Sequence, residues 1–232
     1  MQIGSCRVNP KGNIAVFGPG TGLGVEHLTF TQQGWQTLDG EGGHVDFAPV
    51  DLTQMIVWQY IYKKLGRVTA EEVMSGRGIV NIYEALCAHN NQDAQFDDAA
   101  DITEKALAGS CAICVETLHT FCNAMGTFAG NLAINLATTG GVFIGGGIAA
   151  RFIDFLNASK FRARFEAKPP IPGYVKNIPT FIYSGMTSDI YMVTDLSPFA
   201  KLNRLSNDRI GPYLNIFCNL CMRMNDGSSM YF

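Results

Sequence analysis

The apolar residues of this chain fall into short continuous runs and longer periodic stretches, which predict alternating strands and helices. Short runs rich in β-branched or aromatic residues are typical of strands and occur at 13–17, 23–30, 142–144 and 179–183. Stretches with apolar residues three or four apart predict helices at 52–65, at 101–108, from there through about 137, and at 148–156. This alternation favours an α/β fold in which helices are layered on a sheet.

Two features of the predicted helices carry expectations of their own. Thr69 and Glu72 fit a capping box, in which Thr69 begins a helix and Glu72 reaches back to it. That arrangement leaves Glu71 free for another task. The long helix contains small residues, among them Gly126 and Gly130, which we expect to let it pack closely on the sheet.

A glycine-rich turn, Gly-Pro-Gly-Thr-Gly-Leu-Gly at 18–24, lies between the first two predicted strands. Glycine lets backbone N–H groups approach an anion, because no Cβ blocks the way. The spacing excludes the dinucleotide fingerprint, since Leu23 or Val25 stands where its last glycine is needed. The chain also lacks the Gly-Lys-Ser or Gly-Lys-Thr of a P-loop. An ordinary hairpin turn is the alternative interpretation.

A second glycine-flanked loop, Gly-Glu-Gly-Gly-His, occupies residues 40–44. It places the carboxylate of Glu41 three residues from the imidazole of His44, and both groups can hydrogen-bond to hydroxyls. A phosphate cradle beside such a pair favours phosphoryl transfer to a polyol. A loop carboxylate and a surface histidine without a ligand are the alternative.

Four segments of the chain resemble bacterial-type glucokinases, within the hexokinase/actin/Hsp70 superfamily, and they occur in that family's order. Two of them are the segments described above: 15–24 resembles the second phosphate motif, and 40–49 resembles the sugar-binding loop. Val-Met-Ser-Gly-Arg-Gly, which opens residues 73–83, resembles the next block, and Gly-Gly-Val-Phe-Ile-Gly-Gly-Gly-Ile at 140–148 is similar to the adenosine motif. The resemblance covers about residues 1–182. It implies an actin-like ATPase (ribonuclease H-like) large domain with helices packed on a mixed sheet.

The resemblance also implies an activity and a set of site residues. The activity is transfer of a phosphoryl group from ATP to D-glucose, giving glucose 6-phosphate. The residues at the terminal phosphates would be Gly18, Gly20, Thr21 and Gly22, and those at the adenosine would be Gly145, Gly146 and Gly147. The residues at the sugar would be Glu41, His44 and Glu71.

For Glu71 and for the glycines at 145–147, the residues alone also allow an interpretation without a ligand. Glu71 could compensate the positive end of a helix dipole, and the glycines at 145–147 could simply form a strand-to-helix turn.

Two motifs that the resembled family carries ahead of these blocks are missing here. One is an Asp-Xaa-Gly-Gly-Thr strand–turn that holds Mg²⁺ and phosphate, and the other is an Asn-Asp pair whose aspartate is the general base. We therefore expect no catalytic residue in this chain, a Mg²⁺ site mostly outside it, and no glucokinase activity from the chain alone. A catalytically inactive sugar- or nucleotide-binding remnant and one half of a split kinase are the alternatives.

The match to the family ends near residue 182, which suggests two parts. We expect a large domain at 1–182 and a divergent tail at 183–232, which is either a frameshifted, disordered end or a real extension. The expected partners are D-glucose, ATP, a complementary chain that supplies the small domain, and a second copy in a homodimer.

Composition excludes several classes of function. The 232 residues carry a net charge of −3 and have a pI of about 5.8, which argues against a nucleic-acid partner. No apolar run reaches the roughly 18 residues of a membrane span, and the first residues lack a signal-peptide pattern. We therefore predict a cytoplasmic protein without a membrane partner.

The seven cysteines include two Cys-x-x-Cys pairs, Cys111/Cys114 and Cys218/Cys221. Together the two pairs could hold a zinc ion. The interpretation we favour is two buried helical cysteines and a chance pair, with all the cysteines reduced.

Overall fold

The computed structural model describes residues 1–4, 6–38 and 40–182 of the chain. Within these ranges, six strands form one sheet in the order β1-β6-β5-β2-β3-β4. The strands are β1 (Gln2–Ile3), β2 (Ile14–Pro19), β3 (Leu23–Thr31), β4 (Gly34–Leu38), β5 (Gly141–Ile144) and β6 (Thr180–Ile182). The predicted tail at 183–232 lies outside the described residues.

The sheet is mixed, as the resemblance implied. β5 runs parallel to both β2 and β6, while β3, β4 and β1 are antiparallel to their neighbours. The parallel register sets Val16 opposite Phe143 and Phe17 opposite Ile144. Because β2 and β5 are parallel and in this register, their carboxyl ends lie side by side at one edge of the sheet.

The helices pack around one long central helix. They are α1 (Leu52–Leu65), α2 (Gly76–His89), α3 (Ala99–Leu107), α4 (Ala112–Leu136), α5 (Ile153–Ala158), α6 (Phe161–Glu166) and α7 (Pro172–Lys176). α4 contacts β2 and β5 on the sheet and also α1, α2, α3, α6 and α7. Phe128 of α4 packs edge-to-face on Phe17 of β2, with ring centroids 5.6 Å apart. This contact places the hydrophobic core between α4 and the strand that leads into the glycine-rich turn.

The small residues of α4 do allow close packing, but against a different element from the one predicted. A Cβ on Gly130 would lie 2.6 Å from the carbonyl oxygen of Phe165, and one on Gly126 would clash with the carbonyl oxygen of Phe161. Both glycines therefore face α6 rather than the sheet.

The predicted capping box is wrong. α2 begins at Gly76, with Ser75 as its N-cap accepting a hydrogen bond from the N–H three residues further on at 3.1 Å. Thr69 instead forms an isolated β-bridge. The N–H of Glu71 donates to the carbonyl oxygen of Gly43 at 2.9 Å, and residues 71–73 form a turn beside this loop.

The other predicted elements agree with the structure within a few residues. α1 matches its predicted bounds, whereas the predicted helix at 148–156 is a 3₁₀ turn (Ala149–Phe152) followed by α5. β1, β4, α6 and α7 were not predicted. Among the described residues no helix has both the length and the apolarity to cross a membrane.

Candidate active site

The glycine-rich segment at 18–24 is the hairpin that joins β2 to β3. Strand pairing runs up to Pro19 and Leu23, so the three residues between them form the tip. Across the tip, the N–H of Gly20 donates to the carbonyl oxygen of Gly22 at 2.8 Å. The segment is therefore a hairpin, and its tip lies at the carboxyl end of β2.

A second glycine-rich turn, at Gly145, Gly146 and Gly147, follows β5 and meets the hairpin. The N–H of Gly145 donates to the carbonyl oxygen of Phe17 at 2.9 Å. Gly146 has φ +83°, and a Cβ there would clash with the carbonyl oxygen of Pro19, so only glycine fits this position. A Cβ on Gly147 would meet open space. The two turns thus contact each other at one edge of the sheet.

Four backbone N–H groups at this junction have no hydrogen-bond partner among the described residues. They belong to Thr21, Gly22, Gly146 and Gly147. Consecutive unpaired N–H groups form anion-binding concavities, and the carboxyl edge of parallel strands is where open α/β sheets bind ligands. The junction therefore suits a phosphate-bearing ligand.

The first turn of α2 adds a third element to the junction. The N–H of Gly76 donates to the carbonyl oxygen of Gly20 at 2.9 Å, so the helix begins against the hairpin tip. Its N-terminus contributes positive potential there. Ser75 and Gly76 lie in the block at 73–83 but were not predicted as site residues, although a serine just before a periodic apolar stretch is a recognised helix-start signal.

The loop at 40–49 rests on β3 through its glycines. A Cβ on Gly43 would clash with the carbonyl oxygen of Leu23, so the loop backbone lies directly on the strand. A 3₁₀ turn (Gly42–His44) follows Glu41, whose carbonyl oxygen accepts from the N–H of His44 at 3.0 Å. The side chains of Glu41 and His44 are exposed, and among the described residues neither has a partner. The loop therefore presents a free carboxylate and a free imidazole.

Glu71 links this loop to the hairpin. Its carboxylate Oε2 accepts from the N–H of Leu23 at 2.9 Å, while its own N–H donates to the carbonyl oxygen of Gly43. A Cβ on Gly22 would lie 2.6 Å from the same Oε2, so any larger residue at this position would push the Glu71 carboxylate away. The predicted sugar residues and the predicted phosphate residues are thus joined through Glu71.

Arg77, which the sequence analysis missed, balances the charge of this region. One guanidinium nitrogen lies 2.7 Å from Oε1 of Glu72 and 3.6 Å from Oε1 of Glu71. The side chain of Glu71 is 19% exposed. Only one of its oxygens has a short hydrogen bond within the described residues, so the carboxylate retains lone pairs for a ligand.

A separate cavity of about 510 Å³ lies between the loop at 40–49 and the carboxyl-terminal half of α4. The side chains that line it do not include Glu41, His44 or Glu71. His27 is among those that do, and burial lowers the pKa of its imidazole. The loop at 40–49 thus lines part of this cavity, but its two exposed side chains, Glu41 and His44, do not.

Comparison with known proteins decides which family this arrangement belongs to. The family model described as Glucokinase matches residues 1–188. The chain belongs to the glucokinase family. Curated glucokinases of Escherichia coli and Shigella boydii are each 50% identical to it over 169 residues. This match covers 73% of the chain and 53% of each relative, so the chain spans about half the length of these glucokinases.

Solved glucokinase structures share the fold. The glucokinase from an Antarctic psychrotroph superposes with a TM-score of 0.75 at 36% identity, covering 80% of this chain and 58% of that one. The glucokinase from Balamuthia mandrillaris in complex with glucose has a TM-score of 0.70 at 25% identity, covering 77% of this chain and 51% of that one. The expected α/β actin-like ATPase fold of the glucokinase family is therefore confirmed.

Proposed function

We propose that this chain supplies the nucleotide- and sugar-binding surfaces of a glucokinase that converts ATP and D-glucose to ADP and glucose 6-phosphate. One observation carries the proposal. Two glycine-rich turns meet at the carboxyl edge of β2 and β5, with four N–H groups that have no partner among the described residues. Glu71 connects them to a loop whose carboxylate and imidazole likewise have no partner there. The names of the 50% identical relatives support the same activity.

In this proposal the nucleotide is held mainly by backbone. Bound ATP supplies the phosphoryl group that is transferred. The set at its terminal phosphates is Gly18, Gly20, Thr21 and Gly22, where the absence of side chains on the glycines gives phosphate oxygens access to N–H groups. The set at the adenosine is Gly145, Gly146 and Gly147, and the open space around Gly147 would admit a flat base against the backbone.

The sugar would be bound by side chains. Glu41 accepts hydrogen bonds from sugar hydroxyls, and His44 donates or accepts. Glu71 would contact the anomeric hydroxyl region with the lone pairs that its bond to Leu23 leaves available. Because the same side chain holds the hairpin, it would position the hydroxyl-binding and phosphate-binding surfaces relative to each other.

The absence of a general base from this chain stays a prediction. Among the described residues there is no group of three or more His, Cys, Asp or Glu side chains that could hold a metal ion. We propose residues 1–182 as the large domain, because one sheet and its helices extend from β1 to β6. Cytoplasmic location, a complementary chain and a homodimer stay predictions.

Titration calorimetry with D-glucose and with ATP on the 232-residue chain tests this proposal. We expect saturable binding of both. Gly147→Val, which places a side chain in open space, should weaken ATP binding at least about tenfold by blocking the backbone surface while leaving glucose binding unchanged. Gly173→Val, at another glycine whose Cβ would meet open space, is the matched control and should alter neither. A folded chain that binds neither ligand would refute the proposal.

A further inference from the structure

The Cys111/Cys114 pair occupies the start of the central helix in an arrangement that the sequence analysis did not anticipate. Cys111 is the N-cap of α4, with extended backbone angles (φ −138°, ψ 114°), and is only partly buried. Its Sγ accepts a hydrogen bond from the N–H of Cys114 at 3.4 Å. The prediction of two buried helical cysteines therefore holds for Cys114 but is wrong for Cys111.

The capping geometry brings the two sulfur atoms to the same side of the first helical turn. Residues three apart are neighbours on a helix surface, and the extended N-cap turns the Cys111 side chain back over the N–H of Cys114. Because Sγ of Cys111 lies 3.4 Å from the backbone nitrogen of Cys114, the two cysteines are already in contact at the start of the helix.

The two cysteines differ in access to solvent and in acidity. Cys114 is fully buried, at 0% exposure, whereas Cys111 is reachable from outside. Burial raises the pKa of Cys114 to about 12. Burial also opposes ionisation of Cys111, but hydrogen bonds from the Cys114 thiol and from the N–H groups of Cys114 and Ile113 outweigh it, so the pKa of Cys111 is lowered. Accessible thiolates at helix N-termini are the reactive ones.

We propose that Cys111 and Cys114 form a redox-active dithiol that is oxidised reversibly by small-molecule disulfides. The Cys111 thiolate attacks one sulfur of the small disulfide, forming a mixed disulfide and releasing one thiolate. The Cys114 thiol gives its proton to that thiolate, and its sulfur displaces the second thiolate from Cys111. The proton that Cys111 gave up on ionising reaches the second thiolate through solvent. The two cysteines thus lose two electrons and two protons in total, and the small disulfide becomes two thiols.

A third cysteine nearby does not convert the pair into a metal site. Cys87 of α2 is buried, and burial raises its pKa. No metal-binding group of three such side chains exists among the described residues. Cys218 and Cys221 lie outside them. The observations thus favour a two-cysteine reaction over coordination.

Oxidation of the folded 232-residue chain with glutathione disulfide, followed by acid quenching, alkylation and mass spectrometry, tests the proposal. Cleavage after Lys105 and Glu116 yields peptide 106–116, which contains both cysteines and no other. We expect this peptide to be two hydrogen atoms lighter and unalkylated after oxidation, and fully alkylated after dithiothreitol. A pair that stays reduced in the folded chain, or that links to Cys87 instead, would overturn the proposal.

Variants separate the roles of the two cysteines. Cys114→Ser should accumulate glutathione on Cys111, because the resolving thiol is gone, and Cys111→Ser should prevent modification of Cys114. Cys6→Ser, at another partly buried cysteine, is the matched control and should leave the Cys111–Cys114 disulfide unchanged. In the unaltered chain, Cys111 should react with iodoacetamide at least about tenfold faster than Cys114. Equal rates in the folded chain would contradict the proposal without relying on any variant.

Discussion

Replacement of Glu71 by alanine removes the carboxylate that bonds to the hairpin, while the backbone bond from Glu71 to the loop at 40–49 is kept. The N–H of Leu23, in a residue only 4% exposed, then loses its carboxylate acceptor at 2.9 Å. A buried donor left without a charged acceptor costs about 1.5–3 kcal/mol. The contact with Arg77, at 3.6 Å on a side chain that is 58% exposed, adds little.

This loss converts into a measurable shift in thermal unfolding. For a domain of this size class, each kcal/mol lowers the Tm by about 2–4 °C, so Glu71→Ala should lower it by roughly 3–12 °C. Glu71→Gln keeps a neutral acceptor for the same N–H and should lose clearly less. Circular dichroism melts at neutral pH measure both variants.

Glu72→Ala serves as a comparison, because Glu72 pairs with the same arginine and with Asn81 but does not bond to the hairpin. A Glu71→Ala chain that melts within about 1 °C of the unaltered chain would refute the structural reasoning. Glucose affinity separates the second role: if Glu71 binds the sugar, Glu71→Gln should weaken glucose binding while largely retaining the Tm. Unchanged affinity in a stable Glu71→Gln chain would remove Glu71 from the sugar site.

The other predictions concern the loop, the second turn and the cavity. Glu41→Ala and His44→Ala should each weaken glucose binding about 5- to 150-fold in calorimetry, since each removes hydrogen bonds worth ~1–3 kcal/mol, and unchanged affinity would reject the sugar-loop assignment. Gly146→Ala should destabilise the chain in urea, because φ is +83° and the Cβ clashes with the hairpin, whereas Gly147→Ala should not. Burial lowers the pKa of His27 from 6.5, so folding favours its neutral ring; this stability is full above about pH 6.5 and is lost as the pH falls below it. When the pH is lowered from about 7.5 to 5.5, the urea midpoint of His27→Phe should therefore fall less than that of the unaltered chain. Equal falls would contradict the conclusion that burial lowers the pKa of His27.

Local patterns were sufficient to predict most of the elements that surround the site. The strands that flank the hairpin, the helix at Leu52–Leu65 and the long helix through residue 136 all follow from apolar runs and periodicity. The resemblance supplied the mixed sheet, and it assigned the two glycine-rich turns to the nucleotide, which stays a prediction. These signals are local because the alternation of a strand and the period of a helix arise from side chains only a few positions apart.

Tertiary contacts decided what these local patterns could not. The segment at 69–72 has a good capping-box sequence. The N–H of Glu71 nevertheless bonds to Gly43 in the loop at 40–49, and α2 begins later, at Gly76. In the same way, Cys111 caps a helix because the chain turns at that point, which the Cys-x-x-Cys spacing alone does not specify.

The sequence by itself determined which residues are available to this site: glycines without side chains, a carboxylate and an imidazole in one loop, and the strands that carry them. Only the tertiary structure decided that the turns after β2 and β5 meet, because their contact depends on a parallel register between strands more than a hundred residues apart. It also decided that Glu71 bonds to the hairpin, since its carboxylate is fixed by the N–H of Leu23, 48 positions earlier. Contacts between distant segments leave no periodic trace in the sequence, and for that reason they had to be read from the fold.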